Sequence, residues 1–160
     1  MDSLAVLKKL EKEKKLSPLE KMLAVTNGSV TQILETYTGA SVRIKTLSQE
    51  VKPAGSMSKD LGVAKSDRVN FREVEILDAD GMLLVTAKSW TPLKRLEPAF
   101  RDDLMKADVP IGKLLLKHKI EARRELLDAR IEGGKVKRTY NIINKEEVLM
   151  RIRETFERLQ

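Results

Sequence analysis

Charged residues recur in this chain at positions where an alternating strand pattern would favour apolar ones. In VNFREVEIL (residues 69–77), counting by twos puts Arg72 on the same face as Val74. The same count near the C-terminus puts Glu154 on the same face as Ile152. A charge on an apolar face needs a partner, because burying an unpaired ion costs several kcal/mol. These two residues are therefore the first candidates for chemistry.

Two more arginines share a predicted strand face with less polar residues: Arg124 with Leu126, and Arg138 with Tyr140. One interpretation is an internal pair of arginine and glutamate that only holds a sheet together. A second is a cavity, where arginine binds a ligand carboxylate bidentately. A glutamate in such a cavity can exchange a proton near neutral pH, because desolvation favours its uncharged form. A bulge that turns these residues to solvent is a third interpretation, and alternation leaves all three open.

The helices that must help to position these residues follow from hydrophobic periodicity. DSLAVLKKLEKEKKLS predicts an amphipathic helix, and SPLEKMLAVTN predicts a second helix with Pro18 in its first turn. Ser29 is predicted to cap a third helix that Gly39 ends. Further along, PLKRLEPAFRDDLMKAD is predicted to be helical, and IGKLLLKHK predicts a short helix.

The strands follow from alternation. ASVRIKTLSQEVK, VNFREVEIL and MLLVTAKSW are predicted strands, with a loop over residues 53–66 and an Asp80-Gly81 hairpin turn. A second hairpin is predicted around Gly133-Gly134. EEVLMRIRETFERL fits a helix by propensity, but we predict a strand through Phe156 that pairs with the preceding one. The pattern predicts an α+β fold with a central antiparallel sheet of about five to six strands, flanked by helices.

Composition limits the class of protein. The 160 residues, 34% charged and 41% apolar, predict one globular domain over residues 1–160. The absence of cysteine excludes disulfides and thiolate metal sites. Apolar runs are too short for a membrane span and no signal peptide is evident, so we expect a cytoplasmic protein without a membrane partner. The net charge of +7 favours an anionic partner.

Much of the positive charge is local. Between Lys113 and Arg138 there are nine lysines and arginines against four acidic residues. This segment is either an anion-binding face or a solvated hairpin with extended basic side chains.

The ordered strings FREVEIL, AKSWTP, PIGKLL, RRELL, KRTYNII and IRETF resemble the chorismate pyruvate-lyase family, above all its archaeal branch. The resemblance extends from Leu16 to Phe156. It implies a central antiparallel sheet flanked by helices, with an enclosed ligand cavity. It also implies that a small anionic substrate, chorismate, is cleaved to 4-hydroxybenzoate and pyruvate without a metal or organic cofactor.

The resemblance assigns roles to individual positions. Arg72 matches the substrate-binding arginine of an REV strand, and Glu154 matches the acid/base glutamate of an E-x-F string. Val30 and Ile111 match two apolar substrate contacts, although bacterial members carry a bulkier methionine at the position of Val30. Arg124 and Arg138 are looser matches. The implied catalytic residues are Glu154 and Arg72, and the implied substrate-binding residues are Val30, Arg72, Ile111, Arg124, Arg138 and Glu154.

Two other functions fit the same observations. The fold also serves as the effector-binding domain of transcription regulators, so a non-catalytic small-acid sensor is the main alternative. Such regulators carry an N-terminal winged helix, whereas about 40 residues precede the first strand predicted here. Nucleic-acid binding is a weaker alternative, because few aromatics accompany the cations.

Metal chemistry has little support in this sequence. One histidine and no cysteine argue against a zinc site. We expect His118 at the surface or between helices, and no metal or cofactor. Nothing in the chain indicates an oligomeric state.

Overall fold

The first third of the chain is helical. The computed structural model describes residues 2–106 and 109–160, and it begins with α1 (Ser3–Glu11), α2 (Pro18–Val25) and α3 (Val30–Thr38). Pro18 opens α2 and Ser29 caps α3, both as predicted; the Ser29 hydroxyl accepts a hydrogen bond of 3.1 Å from the Gln32 amide. Gly39 ends α3 with a φ of 73°, a left-handed conformation that glycine adopts without strain.

A single antiparallel sheet follows. Its strands are β1 (Arg43–Pro53), β2 (Arg68–Leu77), β3 (Leu83–Pro92), β4 (Arg123–Glu132), β5 (Lys135–Asn144) and β6 (Glu147–Phe156). Their order in the sheet is β1-β2-β3-β6-β5-β4. The two hairpins and the C-terminal strand were predicted, and the α+β class with an antiparallel sheet is confirmed.

The C-terminal segment is a strand although its glutamates and arginines favour a helix. β6 lies inside the sheet, paired with β3 on one side and with β5 on the other. In this position Ile152, Glu154 and Phe156 all point to one buried face. Hydrogen bonding to two strands and burial of one face outweigh the helix propensity, which is only tenths of a kcal/mol per residue.

The segment over residues 53–66 is more ordered than the predicted loop. It contains a 3-10 turn (Gly55–Met57) and the short helix α4 (Ser58–Leu61). The side chain of Leu61 is fully buried. Arg95 also donates hydrogen bonds of 2.7 Å to the carbonyls of Leu61 and Gly62. Contacts with a residue more than thirty positions away therefore stabilise this turn.

The helical prediction after β3 was correct only in part. A 3-10 turn (Leu93–Arg95) comes first, Leu96 is extended, and α5 (Pro98–Lys106) begins at a proline. Proline disfavours a helical conformation in the residue before it, which separates the two pieces. The predicted short helix is α6 (Ile111–Lys117). No helix among the described residues is long and apolar enough to cross a membrane.

Two hydrophobic clusters cover the same face of the sheet. One joins α1, α2 and α3 to Ile76, Val85, Val136 and Phe156. The other joins α5 and α6 to Tyr140, Ile142, Met150 and Ile152. A third, smaller cluster lies under α4 on the opposite face and contains Leu61 and Val69. On β6, Glu154 lies between Ile152 of the second cluster and Phe156 of the first.

Candidate functional site

A cavity of about 60 Å³ lies between the sheet and the N-terminal ends of α3 and α6. Its apolar lining comes from the sheet and from both helix ends: Val30, Ile44, Val74, Ile76, Ala87, Val109, Pro110, Ile111 and Ile152. Its polar lining comprises Ser29, Thr31, Arg72, Ser89, Arg124, Tyr140 and Glu154. The cavity is thus a mainly apolar space with a few charged groups, the usual composition of a small-molecule site.

Strand register explains why Arg72 and Glu154 meet. Arg72 lies opposite Ser89 on β3, and Ser89 lies opposite Ile152 on β6. Glu154 is two residues further along β6 and lies opposite Ala87. One strand separates β2 from β6, so the two backbones are about 10 Å apart at a spacing of ~4.8 Å per strand. A small molecule can contact both side chains at once.

Arg72 is buried within the apolar face, with 5% of its surface exposed. Its Nη2 donates a long hydrogen bond of 3.4 Å to the Thr46 hydroxyl on β1. The guanidinium therefore lies at the β1 side of the cavity, among Ile44, Val74 and Ile76.

Glu154 is also buried, and both of its carboxylate oxygens have partners. Oε1 accepts a hydrogen bond of 2.8 Å from Arg138 Nε. Oε2 accepts a longer one of 3.4 Å from the Tyr140 hydroxyl. The guanidinium stabilises the negative charge of the carboxylate.

Arg138 does not lie where its predicted contact with a ligand would require. Its side chain is 1% exposed and does not belong to the cavity lining. Besides Glu154, it donates from Nη1 to the Thr26 carbonyl at 2.7 Å. Its guanidinium carbon lies 4.7 Å from the centre of the Tyr140 ring and 5.7 Å from that of Phe156. Arg138 lies opposite Glu154 across the β5–β6 ladder, and its guanidinium pairs with that carboxylate.

Tyr140 and Ser89 are polar lining residues that the sequence reasoning missed. Burial raises the pKa of the Tyr140 phenol far above its usual value, and the charge of Glu154 raises it further. The phenol is therefore neutral and can donate a hydrogen bond over the physiological pH range. The signal was present, because Tyr140 alternates with Arg138 and Ser89 alternates with Ala87. Tyr140 was counted only as an apolar neighbour.

The remaining predicted contacts line the cavity. Val30 opens α3, Ile111 opens α6, and Arg124 enters from β4. The two helix ends approach closely at Gly112, where an added Cβ would lie 3.3 Å from the Ser29 Oγ and 3.5 Å from Arg124 Nη2. An alanine at this position would therefore fit only with a small shift of the Ser29 side chain.

His118 has the interhelix position that was predicted. Its Nε2 lies 2.6 Å from the Asp103 carboxylate of α5, and its ring packs edge-on against Phe100 at 5.3 Å. Hydrogen bonds from Lys117 and His118 lower the pKa of the Asp103 carboxyl. Within residues 2–106 and 109–160, no cluster of three histidine or acidic side chains is arranged to hold a metal ion.

The basic segment between Lys113 and Arg138 is mostly neutralised by neighbouring acids. Lys113 lies near Glu35, and Lys117 near Asp103. Further pairs are Arg123 with Glu125 and Glu146, Arg130 with Asp128 and Glu132, Lys135 with Glu157, and Lys137 with Glu132. This distribution matches a solvated hairpin better than a continuous anion-binding face.

The antiparallel sheet, with helices closing a cavity on one face, is the chorismate lyase-like fold, which effector domains of transcription regulators share. Within that class, this chain belongs to the family described as chorismate pyruvate-lyase Rv2949c-like, whose model matches residues 24–160. Its resemblance to the chorismate pyruvate-lyases is thereby confirmed at the level of the family.

One curated relative and several solved structures are similar to this chain. MJ0807 of Methanocaldococcus jannaschii, whose name gives it a provisional designation as a lyase, is 37% identical over 94% of this chain and 86% of its own. PhnF from Mycobacterium smegmatis is 15% identical, with a TM-score of 0.67 over 85% of this chain and 67% of its own. The C-terminal domain of the histidine utilization repressor from Pseudomonas syringae is 10% identical, with a TM-score of 0.57 over 74% and 94%. At these identities the two structures support the fold alone.

Proposed function

We propose that this protein is a chorismate pyruvate-lyase, which eliminates pyruvate from chorismate and leaves 4-hydroxybenzoate. One observation carries the proposal. Arg72 from β2 and Glu154 from β6 border the same cavity, whose other walls are mainly apolar. Membership of a family described as chorismate pyruvate-lyase supports a ring acid as the ligand.

Binding of chorismate needs two cations and an apolar surface for the ring. Arg72 is the proposed partner of one carboxylate, through the planar pair of donors that a guanidinium presents. Arg124, at the β4 side of the same cavity, is the proposed partner of the other. Val30 and Ile111 would contact the ring from the two helix ends. The mainly apolar walls would strengthen both ionic contacts, because charges attract more strongly in a less polar environment.

The chemistry then requires one proton carrier. The ring carbon that bears the hydroxyl loses its hydrogen as a proton, and the neighbouring carbon–oxygen bond breaks to release enolpyruvate. Enolpyruvate gains a proton and becomes pyruvate, so the reaction is redox-neutral. Aromatisation of the ring drives it, and Glu154 is the proposed carrier. The protein contributes orientation and charge stabilisation.

Pyruvate release tests the proposal directly. Purified protein with chorismate, lactate dehydrogenase and NADH should consume NADH, with 4-hydroxybenzoate formed in equal amount. Glu154→Gln keeps the shape of the side chain but cannot carry the proton, so we expect kcat to fall by about 10²–10⁴-fold. A Glu154→Gln rate equal to that of the wild type would remove Glu154 from the reaction.

A non-catalytic sensor of small acids is the second candidate, and the shared fold of effector domains favours it. It would use the same cavity and the same arginines. The two functions differ in turnover: a sensor would bind a ring acid in calorimetry and release no pyruvate. The neutralised basic segment gives no support to nucleic-acid binding.

A further inference from the structure

Arg138 is the largest fully buried side chain among the described residues, yet substrate binding as proposed does not use it. Burying a guanidinium is costly unless its charge is paired and its donors are satisfied. Here the carboxylate of Glu154 supplies the pairing, and the Thr26 carbonyl accepts a second hydrogen bond. Glu154 is the only carboxylate paired with Arg138 in the described residues. Any functional role of Arg138 therefore acts through Glu154.

The contacts divide the two oxygens of Glu154 between different partners. Oε1 accepts a hydrogen bond of 2.8 Å from Nε of Arg138, a residue outside the cavity lining. Oε2 is on the side of Tyr140, whose hydroxyl is 3.4 Å away. The Tyr140 ring and Glu154 both line the cavity, whereas Arg138 does not. The ion pair thus holds one oxygen, and the other lies beside a hydroxyl whose residue lines the cavity.

We propose that Arg138 is a positioning residue, which holds Glu154 as a carboxylate with Oε2 turned to the cavity, so that Glu154 enters the reaction as a base. This inference rests on the proposed function. It predicts the order of proton transfer, which neither strand alternation nor family membership supplies.

The reaction begins with proton transfer from the ring to Glu154. Oε2 forms a bond to the ring hydrogen while the carbon–hydrogen bond breaks, and that electron pair enters the ring as it becomes aromatic. The neighbouring carbon–oxygen bond breaks, and its electrons leave with the enolpyruvate oxygen. The proton on Glu154 then passes to enolpyruvate, which becomes pyruvate. The carboxylate is restored, and Arg138 keeps its charge throughout.

Several other groups face Glu154, and they limit what a pH profile can report. β5 contributes Tyr140, β4 contributes Arg124, and β2 contributes Arg72. β3 contributes only Ala87 and Ser89, and the described residues of α3 and α6 at the cavity include no titratable side chain. Burial and Glu154 raise the pKa of Tyr140, and arginines stay charged, so neither ionises below pH 8. These groups therefore add no acid limb to kcat.

The test compares Arg138→Met with Arg138→Lys over pH 5–9. Removing the positive partner makes the carboxylate harder to form, so kcat of Arg138→Met should lie further below that of the wild type at low pH than at high pH. At pH 8–9 its kcat should recover to within about tenfold of the wild type, with KM little changed. Arg138→Lys keeps the charge but loses the planar fork, so its acid limb should stay in place while kcat falls. In Arg138→Met, which removes the charge, a loss of kcat that is uniform across pH would mean a purely structural role and overturn the proposal.

Two controls keep the test decisive. In a Glu154→Gln background, Arg138→Met should lower kcat no further, because the two residues act as a unit; an additive loss contradicts the proposal. If Arg138→Met does not fold, Arg138→Lys is compared in the wild type and in the Glu154→Gln background. It should lower kcat with KM unchanged in the first and lower kcat no further in the second; an additive loss, or a wild-type kcat for Arg138→Lys, would refute positioning.

A readout without turnover separates this inference from the proposed function. In ¹³C NMR of carboxyl carbons, the signal missing from Glu154→Gln identifies Glu154. At any one pH that signal should lie closer to the protonated position in Arg138→Met than in the wild type, because the variant lacks the positive partner. Equal signals in the two proteins overturn the inference even if pyruvate is released. Absence of pyruvate release, by contrast, overturns only the proposed function.

Discussion

The two faces of the sheet hold their charges in opposite ways. On the cavity face, Arg138 and Glu154 form a pair at 2.8 Å with exposures of 1% and 5%. On the opposite face, Arg151 and Asp60 form a pair at 3.3 Å with exposures of 14% and 50%. Arg153 on that face stacks over the Trp90 ring at 5.2 Å. The same strand, β6, supplies charged residues to both faces.

Access to solvent explains why the charged pairs on the two faces differ in strength. On the opposite face, side chains can exchange a protein partner for solvent, so each pair is worth little. On the cavity face no such exchange is available, and a charge that loses its partner has nothing to replace it. Buried charges therefore belong to a region where geometry is fixed, which is what proton transfer and carboxylate binding require.

The largest expected effect is the loss of stability when the buried pair of Arg138 and Glu154 is broken. Arg138→Met leaves Glu154 buried and unpaired, so the free energy of unfolding should fall by roughly 3–5 kcal/mol. Urea denaturation followed by circular dichroism measures it. The control is Arg138→Met combined with Glu154→Leu, which removes both charges and should recover most of the loss. Equal losses in the single and double variants would show that packing of Arg138 dominates.

The next effect concerns ligand binding. Arg72→Met removes the proposed partner of a substrate carboxylate, so kcat/KM should fall by more than about 2 kcal/mol, or roughly 30-fold. Lys88→Met is the matched control, because Lys88 lies exposed on the opposite face of the sheet. It should leave kcat/KM unchanged. A loss below about 1 kcal/mol for Arg72→Met, where an ordinary net hydrogen bond lies, would mean that Arg72 does not hold the carboxylate.

Much of this contrast was visible in the sequence. Alternation around Arg72 and Glu154 predicted which charges share a face with apolar residues, and both side chains are buried. The strand at the C-terminus was predicted against its own propensity. Alternation works here because the side-chain period of a strand is fixed, so one register determines the face of every residue.

The partners of those charges were beyond local pattern. An internal arginine–glutamate pair and a ligand cavity were two interpretations of the same alternation, and both arrangements occur. Arg138 pairs with Glu154, while Arg72 borders a cavity. Strand order decides which arginine pairs with Glu154 and which one borders the cavity, since β6 pairs with β5 on one side and with β3 on the other. Strand order is a long-range property that no short segment encodes.

The pH dependence of stability should reveal the buried phenol. Because the pKa of Tyr140 is raised in the folded state, the unfolded chain ionises first as the pH rises above about 10. Tyr140 therefore contributes stability that is fully present below pH 10 and is lost above it. Tyr140→Phe should flatten this alkaline fall in urea midpoints. Its cost at neutral pH should be only about 1 kcal/mol, for one hydrogen bond. An unchanged alkaline fall in Tyr140→Phe would assign the titration to another group.

The smallest effect is expected on the opposite face, and it completes the contrast. Arg153→Met removes a guanidinium that is half-buried on the solvent side of β6 and lies over Trp90. A cation–π contact at a partly exposed site is worth about 0.5–1 kcal/mol, and methionine retains part of the packing on the ring. The free energy of unfolding should therefore change by less than about 1 kcal/mol, a small fraction of the effect of Arg138→Met in the same strand pair. Urea denaturation of both variants at low and high salt is the measurement. If Arg153→Met were as destabilising as Arg138→Met, burial on the cavity face would not explain why charges there matter more.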